Sequence, residues 1–372
     1  MNNQTGVRIF ISLAWLLVAL RLPADQLSTW TIQTSGTISN FYSVACGNGT
    51  FVAVGIGGLL YSSPDGVSWT ARDSGTTNDL EGVILGNGQF VAAGANGTVR
   101  TSSNGTMWAS QLSGFGSAFH AVTYGNGRYV AVGFGGAIFT SNTATNWIQM
   151  TSPTTNSLQA ILWANGMYVA SGFLGTILTS PDATNWTSRV SNISTALHTL
   201  AYGAGVFVVA GFTGSLQTSP DGVTWTSQVS GTPNSLQSAI YINSNFVLSG
   251  FHGTLISSID GTNWVTRSSG VLDALRGITY GAGAMVTAGH NGRILRTASL
   301  VAPTIRNMSR SGTTASFVFD TVSGLDYSME YKTNLSTPGW TLLSTTNGTG
   351  GAISPSDSSA TNATRFYRVG VR

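Results

Sequence analysis

Few side chains in this sequence can carry acid–base, nucleophilic or metal chemistry. The chain of 372 residues has 13 acidic residues, four histidines and one cysteine. Hydrolysis of a glycosidic bond usually needs two carboxyl groups that face the bond. Nine of the acidic residues lie in repeated turn motifs, near the N-terminus or beyond residue 300, and of the remaining four we take Asp79, Glu81 and Asp273 as candidates. We predict no catalytic site and expect that the protein is not an enzyme.

The histidines and the cysteine do not form a recognisable metal or nucleophile motif. His120, His198, His252 and His290 lie far apart, with no H-x-x-x-H or H-E-x-x-H spacing. Cys46 has no partner for a disulfide. It occupies a repeat position that larger apolar residues fill elsewhere, so we interpret it as a small core residue. We therefore predict no metal site and no cofactor.

The charge of the chain argues against nucleic-acid binding. Charged residues make up 8% of the sequence, against about 25% in an average soluble protein. The formal net charge is +3, but Arg8 and Arg21 lie in a segment that we expect to be removed. Lys332 is the only lysine, so no basic patch is expected and nucleic acid is not a predicted partner.

The first 24 residues are typical of a secretory signal peptide. Arg8 is followed by an apolar run, residues 9–20, that is short for a membrane span. Cleavage after Ala24 would give a protein with no membrane span, and we expect it to be secreted, periplasmic or on the cell surface, as a monomer. A retained N-terminal anchor is the alternative.

The chain contains a repeat of 39 residues. Seven tryptophans recur at this spacing: Trp30, Trp69, Trp108, Trp147, Trp186, Trp225 and Trp264. Two sets of glycines follow the same period, represented by Gly133 and Gly136. One unit contains four short strand candidates, at 122–125, 129–133, 137–141 and from Trp147 onward, with a G-N-G turn between the first two.

Four strands in about 40 residues is the size of one β-propeller blade. Seven units are present, but the last one lacks a fourth strand, and the segment at Trp30 supplies one. We therefore predict an all-β protein with a seven-bladed β-propeller at 25–300, in which the N-terminal strand closes the last blade. Such closure removes exposed sheet edges.

The segments before four of the tryptophans share a motif, as in SPDGVSW (63–69) and SPDATNW (180–186). They resemble the Asp-box, or bacterial neuraminidase repeat, although they are one residue shorter. The pattern at 131–141 (AVGFGGAIFTS) is similar to that of photosystem II assembly-factor propellers. The Asp-box resemblance implies a structural role, in locking a turn, for these residues: Ser63, Asp65, Trp69, Ser180, Asp182, Trp186, Ser219, Asp221, Trp225, Ser258, Asp260 and Trp264. Asn104 and Thr143 replace the aspartate in two repeats.

The same resemblance raises the alternative of a sialidase-like glycoside hydrolase. That family needs an arginine cluster, a tyrosine nucleophile assisted by a glutamate, and an aspartate. Only Arg276 lies at the matching inner position of the repeat, so an active sialidase is disfavoured.

Alignment of the repeats predicts a ligand site on one face of the propeller. Seven chemically varied residues lie at the start of the innermost strands: Tyr42, Glu81, His120, Gln159, His198, Gln237 and Arg276. The residue just before each of them is always apolar, and we expect it to belong to the core. A second ring lies in the G-x-x-G loops: Ile56, Ala95, Phe134, Phe173, Phe212, Phe251 and His290. Aromatic rings beside amide and imidazole groups are suited to binding sugars or peptides. The alternative is that the phenylalanines pack between blades and the polar residues bind only water.

Apolar and polar residues alternate in short runs over residues 301–372. This pattern predicts a small C-terminal β-sandwich of fibronectin or immunoglobulin type. The segment resembles a module of secreted bacterial proteins, and we expect it to act as a spacer or adhesion domain.

The sequence as a whole favours a secreted, non-enzymatic propeller that binds a glycan or protein. An assembly or stability factor for a partner complex is the second hypothesis.

Overall fold

The computed structural model describes residues 27, 29–297, 305–311, 313–321, 326–333, 340–347, 351–360 and 365–371. The predicted signal peptide at 1–24 and the predicted domain boundary near residue 300 lie outside these residues. The boundary between the two predicted domains therefore stays a prediction.

Each repeat folds into a four-stranded antiparallel blade, as predicted. Strand β1 (Trp30–Gln33) precedes the first blade. Blade 1 consists of β2 (Phe41–Gly47), β3 (Thr50–Gly55), β4 (Leu60–Ser63) and β5 (Thr70–Ala71). Blade 2 consists of β6 (Leu80–Gly86), β7 (Gln89–Gly94), β8 (Val99–Ser102) and β9 (Ala109–Gln111). Blade 3 consists of β10 (Phe119–Gly125), β11 (Arg128–Gly133), β12 (Ile138–Ser141) and β13 (Ile148–Met150). Blade 4 consists of β14 (Leu158–Ala164), β15 (Met167–Gly172), β16 (Ile177–Ser180) and β17 (Thr187–Arg189). Blade 5 consists of β18 (Leu197–Gly203), β19 (Val206–Gly211), β20 (Leu216–Ser219) and β21 (Thr226–Ser227). Blade 6 consists of β22 (Leu236–Ile242), β23 (Asn245–Gly250), β24 (Leu255–Ser258) and β25 (Val265–Arg267).

Blade 7 combines the two ends of the propeller. Its strands β26 (Leu275–Gly281), β27 (Ala284–Gly289) and β28 (Ile294–Thr297) come from the last repeat, and β1 pairs with β28 as the fourth strand. Trp30 lies opposite Thr297 and Gln33 opposite Ile294. The innermost strands of blades 1 and 7 also pack together. The predicted closure of the ring by the N-terminal strand is confirmed.

The two repeated glycine patterns form different turns. Between the first two strands of blade 3, Asn126 and Gly127 both have positive φ, 45° and 74°, which is the type I′ hairpin turn that matches strand twist. Between the second and third strands, each G-x-x-G loop forms a short 3-10 turn. These turns are Ile56–Gly58, Ala95–Gly97, Phe134–Gly136, Phe173–Gly175, Phe212–Gly214, Phe251–Gly253 and His290–Gly292.

The first glycine of each G-x-x-G loop allows a close approach between backbones. A Cβ atom on Gly133 would lie 2.0 Å from the carbonyl oxygen of Ala118, which precedes the innermost strand of the same blade. The backbone N–H of Phe134 donates to that carbonyl at 2.9 Å. The loop is therefore fixed to the start of the inner strand.

The hydrophobic core lies between neighbouring blades. One cluster joins Val91 and Val99 of blade 2 with Phe119, Val122 and Tyr129 of blade 3, all buried. Phe119 belongs to the repeat position that was predicted to be core, and all seven residues there are fully buried: Phe41, Leu80, Phe119, Leu158, Leu197, Leu236 and Leu275. Cys46 is only partly buried, at the edge of the cluster between blades 7 and 1.

The fourth strand starts one residue later than the sequence predicted in blades 1 to 6. In blade 3 it begins at Ile148, because Trp147 remains in the preceding turn and its indole N–H donates to the carbonyl of Ala144 at 3.1 Å. This bond holds the tryptophan over the turn rather than in the strand ladder.

The C-terminal residues form two facing sheets, as expected for a β-sandwich. Their strands are β29 (Ile305–Ser311), β30 (Thr314–Asp320), β31 (Asp326–Lys332), β32 (Thr341–Asn347), β33 (Ala352–Ile353), β34 (Ser356–Asp357) and β35 (Phe366–Val371). One sheet has the order β29-β30-β33 with β34 also paired to β30, and the other has the order β32-β31-β35. Phe317 and Phe319 of the first sheet share a buried cluster with Tyr327, Met329 and Val369 of the second. No helix in the described part of the chain could cross a bilayer.

Candidate ligand-binding face

The two predicted rings of residues lie on one face of the propeller, which we call the funnel face. Each innermost strand starts at this face, and the G-x-x-G loop of the same blade bonds to the residue just before that strand. Ile56 N donates to Asn40 O at 3.1 Å in blade 1, and His290 N donates to Ala274 O at 2.8 Å in blade 7. The strand topology thus places both rings around the same opening.

The seven inner residues share an unusual backbone position. The pairing of the first two strands skips one residue in every blade, which is a β-bulge. The skipped residues are Tyr42, Glu81, His120, Gln159, His198, Gln237 and Arg276. Because a bulge breaks the regular alternation of side chains, the buried residue before each one can remain in the core while its neighbour is re-aimed.

The re-aimed side chains converge on one cavity of about 470 Å³ at the ring axis. All seven line it, and each is half-buried. The cavity continues along the inner strands as far as Cys46 and Leu85. Its volume lies within the range of about 300–1,000 Å³ that is usual for ligand pockets. The structure therefore brings together all seven residues of the inner ring.

Arg276 is the one lysine or arginine that lines the cavity, and its charge acts on several of the other inner residues. Its guanidinium carbon lies 4.9 Å from the centre of the Tyr42 ring. Burial, with a smaller effect of the Arg276 charge, lowers the pKa of His120, and lowers that of His198 to about 4. Burial also raises the pKa of Glu81, while Arg276 acts in the opposite direction. At neutral pH the two histidines are therefore uncharged and can both donate and accept hydrogen bonds.

The polar atoms of the inner ring are not used within the protein. Across the described residues, the seven side chains make no hydrogen bond or ion pair with other protein groups. Buried or half-buried polar groups are normally paired with protein or water. These groups can therefore pair with a ligand that enters the cavity.

The outer ring presents exposed aromatic side chains. Phe134, Phe173 and Phe212 are 60%, 45% and 51% exposed, so they do not serve as packing between blades. Phe251 and His290 are half-buried, with ring centres 6.0 Å apart. The corresponding residues of blades 1 and 2, Ile56 and Ala95, are not aromatic, so the aromatic residues form an arc over blades 3 to 7.

Two of the three candidate carboxylates hold loops in place. Asp79 accepts a hydrogen bond from Gly57 N at 2.7 Å. Asp273 accepts one from Asn291 at 2.8 Å and forms an ion pair with Arg293 at 2.7 Å, and these bonds lower its pKa. Glu81 is the one candidate with its carboxylate in the central cavity. Among the described residues, no cluster of three His, Cys, Asp or Glu could hold a metal ion.

The residues of the Asp-box-like motif lie on the opposite face and stabilise turns. In blade 1, Val67 N and Ser68 N donate to the Asp65 carboxylate at 2.8 and 2.9 Å, and Gly66 N donates to Ser63 Oγ at 2.8 Å. The Asp and Ser bonds recur in three other blades, at Ser180 and Asp182, at Ser219 and Asp221, and at Ser258 and Asp260. The indole N–H groups of Trp186, Trp225 and Trp264 donate to backbone carbonyls of the same turns. One bond differs: at the Ser180 turn, the residue in the glycine position does not donate its backbone N–H to Ser180 Oγ. Burial opposes ionisation of Asp65, but the backbone bonds outweigh it and lower its pKa.

Sequence reasoning missed a second cavity, of about 630 Å³, on the outer side of the blade 3 loop. We call it the blade 3 groove; its lining includes Phe115, Phe134, Met150, Thr151 and Thr155. A signal was present in the repeat, because Phe115 stands at a position that is threonine in blades 1, 3 and 5. The prediction overlooked it because it compared only the two rings.

Comparison with known proteins identifies the fold but no family. Neither a protein-family profile nor a curated protein matches the chain. Among solved structures, the chain is similar to YCF48 bound to D1 peptide, with 18% identity, a TM-score of 0.61, and coverage of 75% of this chain and 99% of that one. It is also similar to YCF48 from Cyanidioschyzon merolae, with 17% identity, a TM-score of 0.59, and coverage of 72% and 98%.

An enzyme is found among the similar structures as well. A catalytically inactive virginiamycin B lyase from Staphylococcus aureus with quinupristin has a TM-score of 0.65 at 10% identity, covering 73% of this chain and 100% of that one. At these identities the likeness concerns the fold alone, since one fold supports many functions. The chain is thus a seven-bladed β-propeller whose fold is shared by binding proteins and by an enzyme.

Proposed function

We propose that this protein is a non-enzymatic binding protein whose funnel face takes up a segment of a partner protein. The observation that carries the proposal is the cavity of seven half-buried side chains, which make no hydrogen bond or ion pair among the described residues, beside an arc of exposed aromatic rings. Such a surface offers apolar contact together with unused donors and acceptors, which suits a peptide with alternating side chains and amide groups.

Two further observations support a protein ligand. YCF48, which has a similar fold, has been solved with a D1 peptide bound. In addition, Asp79 and Asp273 are engaged in loop contacts, so an opposed pair of carboxylates for hydrolysis would lack a second member. An assembly or stability role for a partner complex would be one use of such binding. On the basis of the apolar segment at 9–20, we propose that binding takes place outside the cytoplasm.

A glycan is the second candidate ligand. The observation that favours it is the arrangement of exposed phenylalanine rings beside the amides of Gln159 and Gln237 and the neutral imidazoles of His120 and His198. Rings can stack on sugar faces, while amides and imidazoles bond to hydroxyl groups.

The proposal can be tested by selection of a random peptide library, displayed on phage, against the purified full chain. The funnel variant carries His120→Ala, His198→Ala and Gln237→Ala. The matched control is Met107→Ala, because Met107 is 77% exposed in a turn on the opposite face. We expect peptides that bind the wild type and the control but lose most of their affinity for the funnel variant, at an unchanged melting temperature.

A glycan array probed with the same three proteins separates the candidates. Sugar binding that the funnel variant loses, without any selected peptide, would replace the protein ligand by a glycan. Selected peptides that bind all three proteins equally would contradict a ligand site at the funnel.

A further inference from the structure

The funnel face is divided into a neutral half and a charged half. In blades 3 to 6 the inner residues are His120, Gln159, His198 and Gln237, and the loops above them carry Phe134, Phe173, Phe212 and Phe251. In blades 7, 1 and 2 the inner residues are Arg276, Tyr42 and Glu81, and the loops carry His290, Ile56 and Ala95 in place of phenylalanine. A ligand that matches this face must itself be uneven in charge.

Arg276 is a binding point for a negative group. It is the only cation that lines the central cavity, and within the described residues its guanidinium has no carboxylate within ion-pair distance. The ring of Tyr42 holds it at 4.9 Å. Both residues line the cavity, so the guanidinium lies at its wall. A half-buried, preorganised arginine favours a carboxylate.

Glu81 does not supply that carboxylate. It lies two blades from Arg276, and the two side chains make no ion pair. Burial raises the pKa of Glu81 and so disfavours its charged form, while the charge of Arg276 acts in the opposite direction. The acidic ligand group therefore meets Arg276 as the one lysine or arginine that lines the cavity.

The blade 3 groove is a binding point for an apolar group. Phe115 packs against Phe119 and Phe139, with ring centres 5.0 Å apart in each case, so an aromatic cluster underlies the groove. Phe134, the most exposed ring of the arc, forms the wall toward the cavity, and its N–H bonds to Ala118, two residues before His120. No charged residue lines this groove.

The groove is also too polar at its edge for a purely lipid-like ligand. The edge is formed by hydroxyl and amide groups, including those of Gln149, Thr151 and Thr155. These three side chains are exposed, and the backbone amides of a peptide above the groove can bond to them, whereas a hydrocarbon chain has no polar group to offer. The edge chemistry favours a peptide over a fatty acid.

We propose that the bound protein segment has two anchors: an acidic group seated against Arg276, and a bulky, uncharged apolar side chain in the blade 3 groove. The residues between the anchors cross the neutral half of the cavity and bond to His120, Gln159 or His198. This inference rests on the proposed protein-binding function and specifies the chemistry of its ligand.

The test uses the sequences of the selected peptides. We expect Asp or Glu and a Leu, Phe or Trp to be enriched together at a constant spacing in peptides that bind the wild type. Selection against Arg276→Gln is expected to lose the acidic preference and keep the apolar one. Selection against Phe134→Ser is expected to do the reverse, whereas Met107→Ser, at an exposed apolar residue on the opposite face, keeps both.

Affinities of one synthetic consensus peptide make the result quantitative. Arg276→Gln is expected to weaken binding about 10- to 100-fold, as for loss of a hydrogen bond to a charged group. Replacing the peptide's acidic residue by its amide should weaken binding to the wild type but hardly affect binding to Arg276→Gln. Selected peptides without acidic enrichment, or an unchanged affinity of Arg276→Gln, would overturn the two-anchor inference. Failure to select any peptide would instead overturn the proposed function.

Discussion

At the scale of single residues, the bulge at the start of each inner strand explains how one residue can lie in the core while the next one faces the central cavity. Leu197 is fully buried, and His198 next to it faces the central cavity. The repeat alignment identified both positions, because one is always apolar and the other varies. It could not identify the state of the imidazole, which depends on burial and on Arg276 from a distant blade.

The pH dependence of stability is predicted to report on His198. Its pKa in the folded protein is about 4, below the unfolded value of about 6.5, so the unfolded chain binds more protons between these values. Stability is therefore expected to fall as the pH falls from about 6.5 to about 4. His198→Gln should show a smaller decrease in melting temperature between pH 7 and pH 4.5 than the wild type.

His252→Gln is the control for this experiment, since His252 is exposed in the loop of blade 6. It should show the same pH-dependent decrease as the wild type. An equal decrease for His198→Gln and the wild type would contradict a buried, neutral imidazole at this site.

At the scale of elements, the turn between the third and fourth strands depends on one side-chain acceptor. Asp65 accepts two backbone N–H bonds in blade 1, and Asn104 accepts the equivalent pair from Thr106 and Met107 in blade 2 at 2.9 and 3.1 Å. The geometry of the turn is therefore the same with a carboxylate or an amide. In these two blades an acceptor oxygen therefore serves the turn with or without a charge, whereas Thr143 of blade 3 contacts Thr145 Oγ1 instead.

Substitutions at Asp65 can separate these two properties. Asp65→Ala leaves two N–H groups without their acceptor and is expected to cost about 1 kcal/mol of unfolding free energy, the usual net value of such bonds. Asp65→Asn should cost clearly less, because Asn104 makes the same bonds. Chemical denaturation of both variants at pH 7 measures the difference. Equal losses would show that the charge of Asp65, and not its acceptor oxygen, stabilises the turn.

At the scale of the whole molecule, stability depends on a strand that is distant in sequence from its partner. Trp30 pairs with Thr297 in the register of β1 and β28, and its indole N–H donates to Leu27 at 3.0 Å. Without β1, the strand β28 becomes an exposed edge, which is prone to pair with other chains.

Two truncations are predicted to behave differently. Removal of residues 1–26 keeps Leu27 and β1 and is expected to leave a monomer with a cooperative thermal transition. Removal of residues 1–33 should lower the melting temperature and produce dimers or larger species on size-exclusion chromatography. A monomer of unchanged melting temperature after the longer truncation would contradict a closing role for β1.

The sequence by itself determined the fold, because a 39-residue period repeated seven times records the same local choices in every blade. Short-range backbone and burial constraints explain the turn glycines and the alternating apolar residues. They also explain Trp30, the tryptophan of the seventh blade, which stands at the start of the repeats instead of at their end. These constraints also separated the core positions from the two rings around the opening.

The tertiary structure decided what the two rings can do. Three features depend on residues that are far apart in the chain or in different blades. They are the exposure of Phe134, the position of the Arg276 guanidinium over Tyr42, and the shape of the blade 3 groove. A repeat alignment treats each blade alone, whereas charge, burial and cavity shape are set by the neighbours that ring closure brings together. The closed ring of seven blades therefore shows that blades 7, 1 and 2 form the charged half of the funnel face and that blades 3 to 6 form the neutral half.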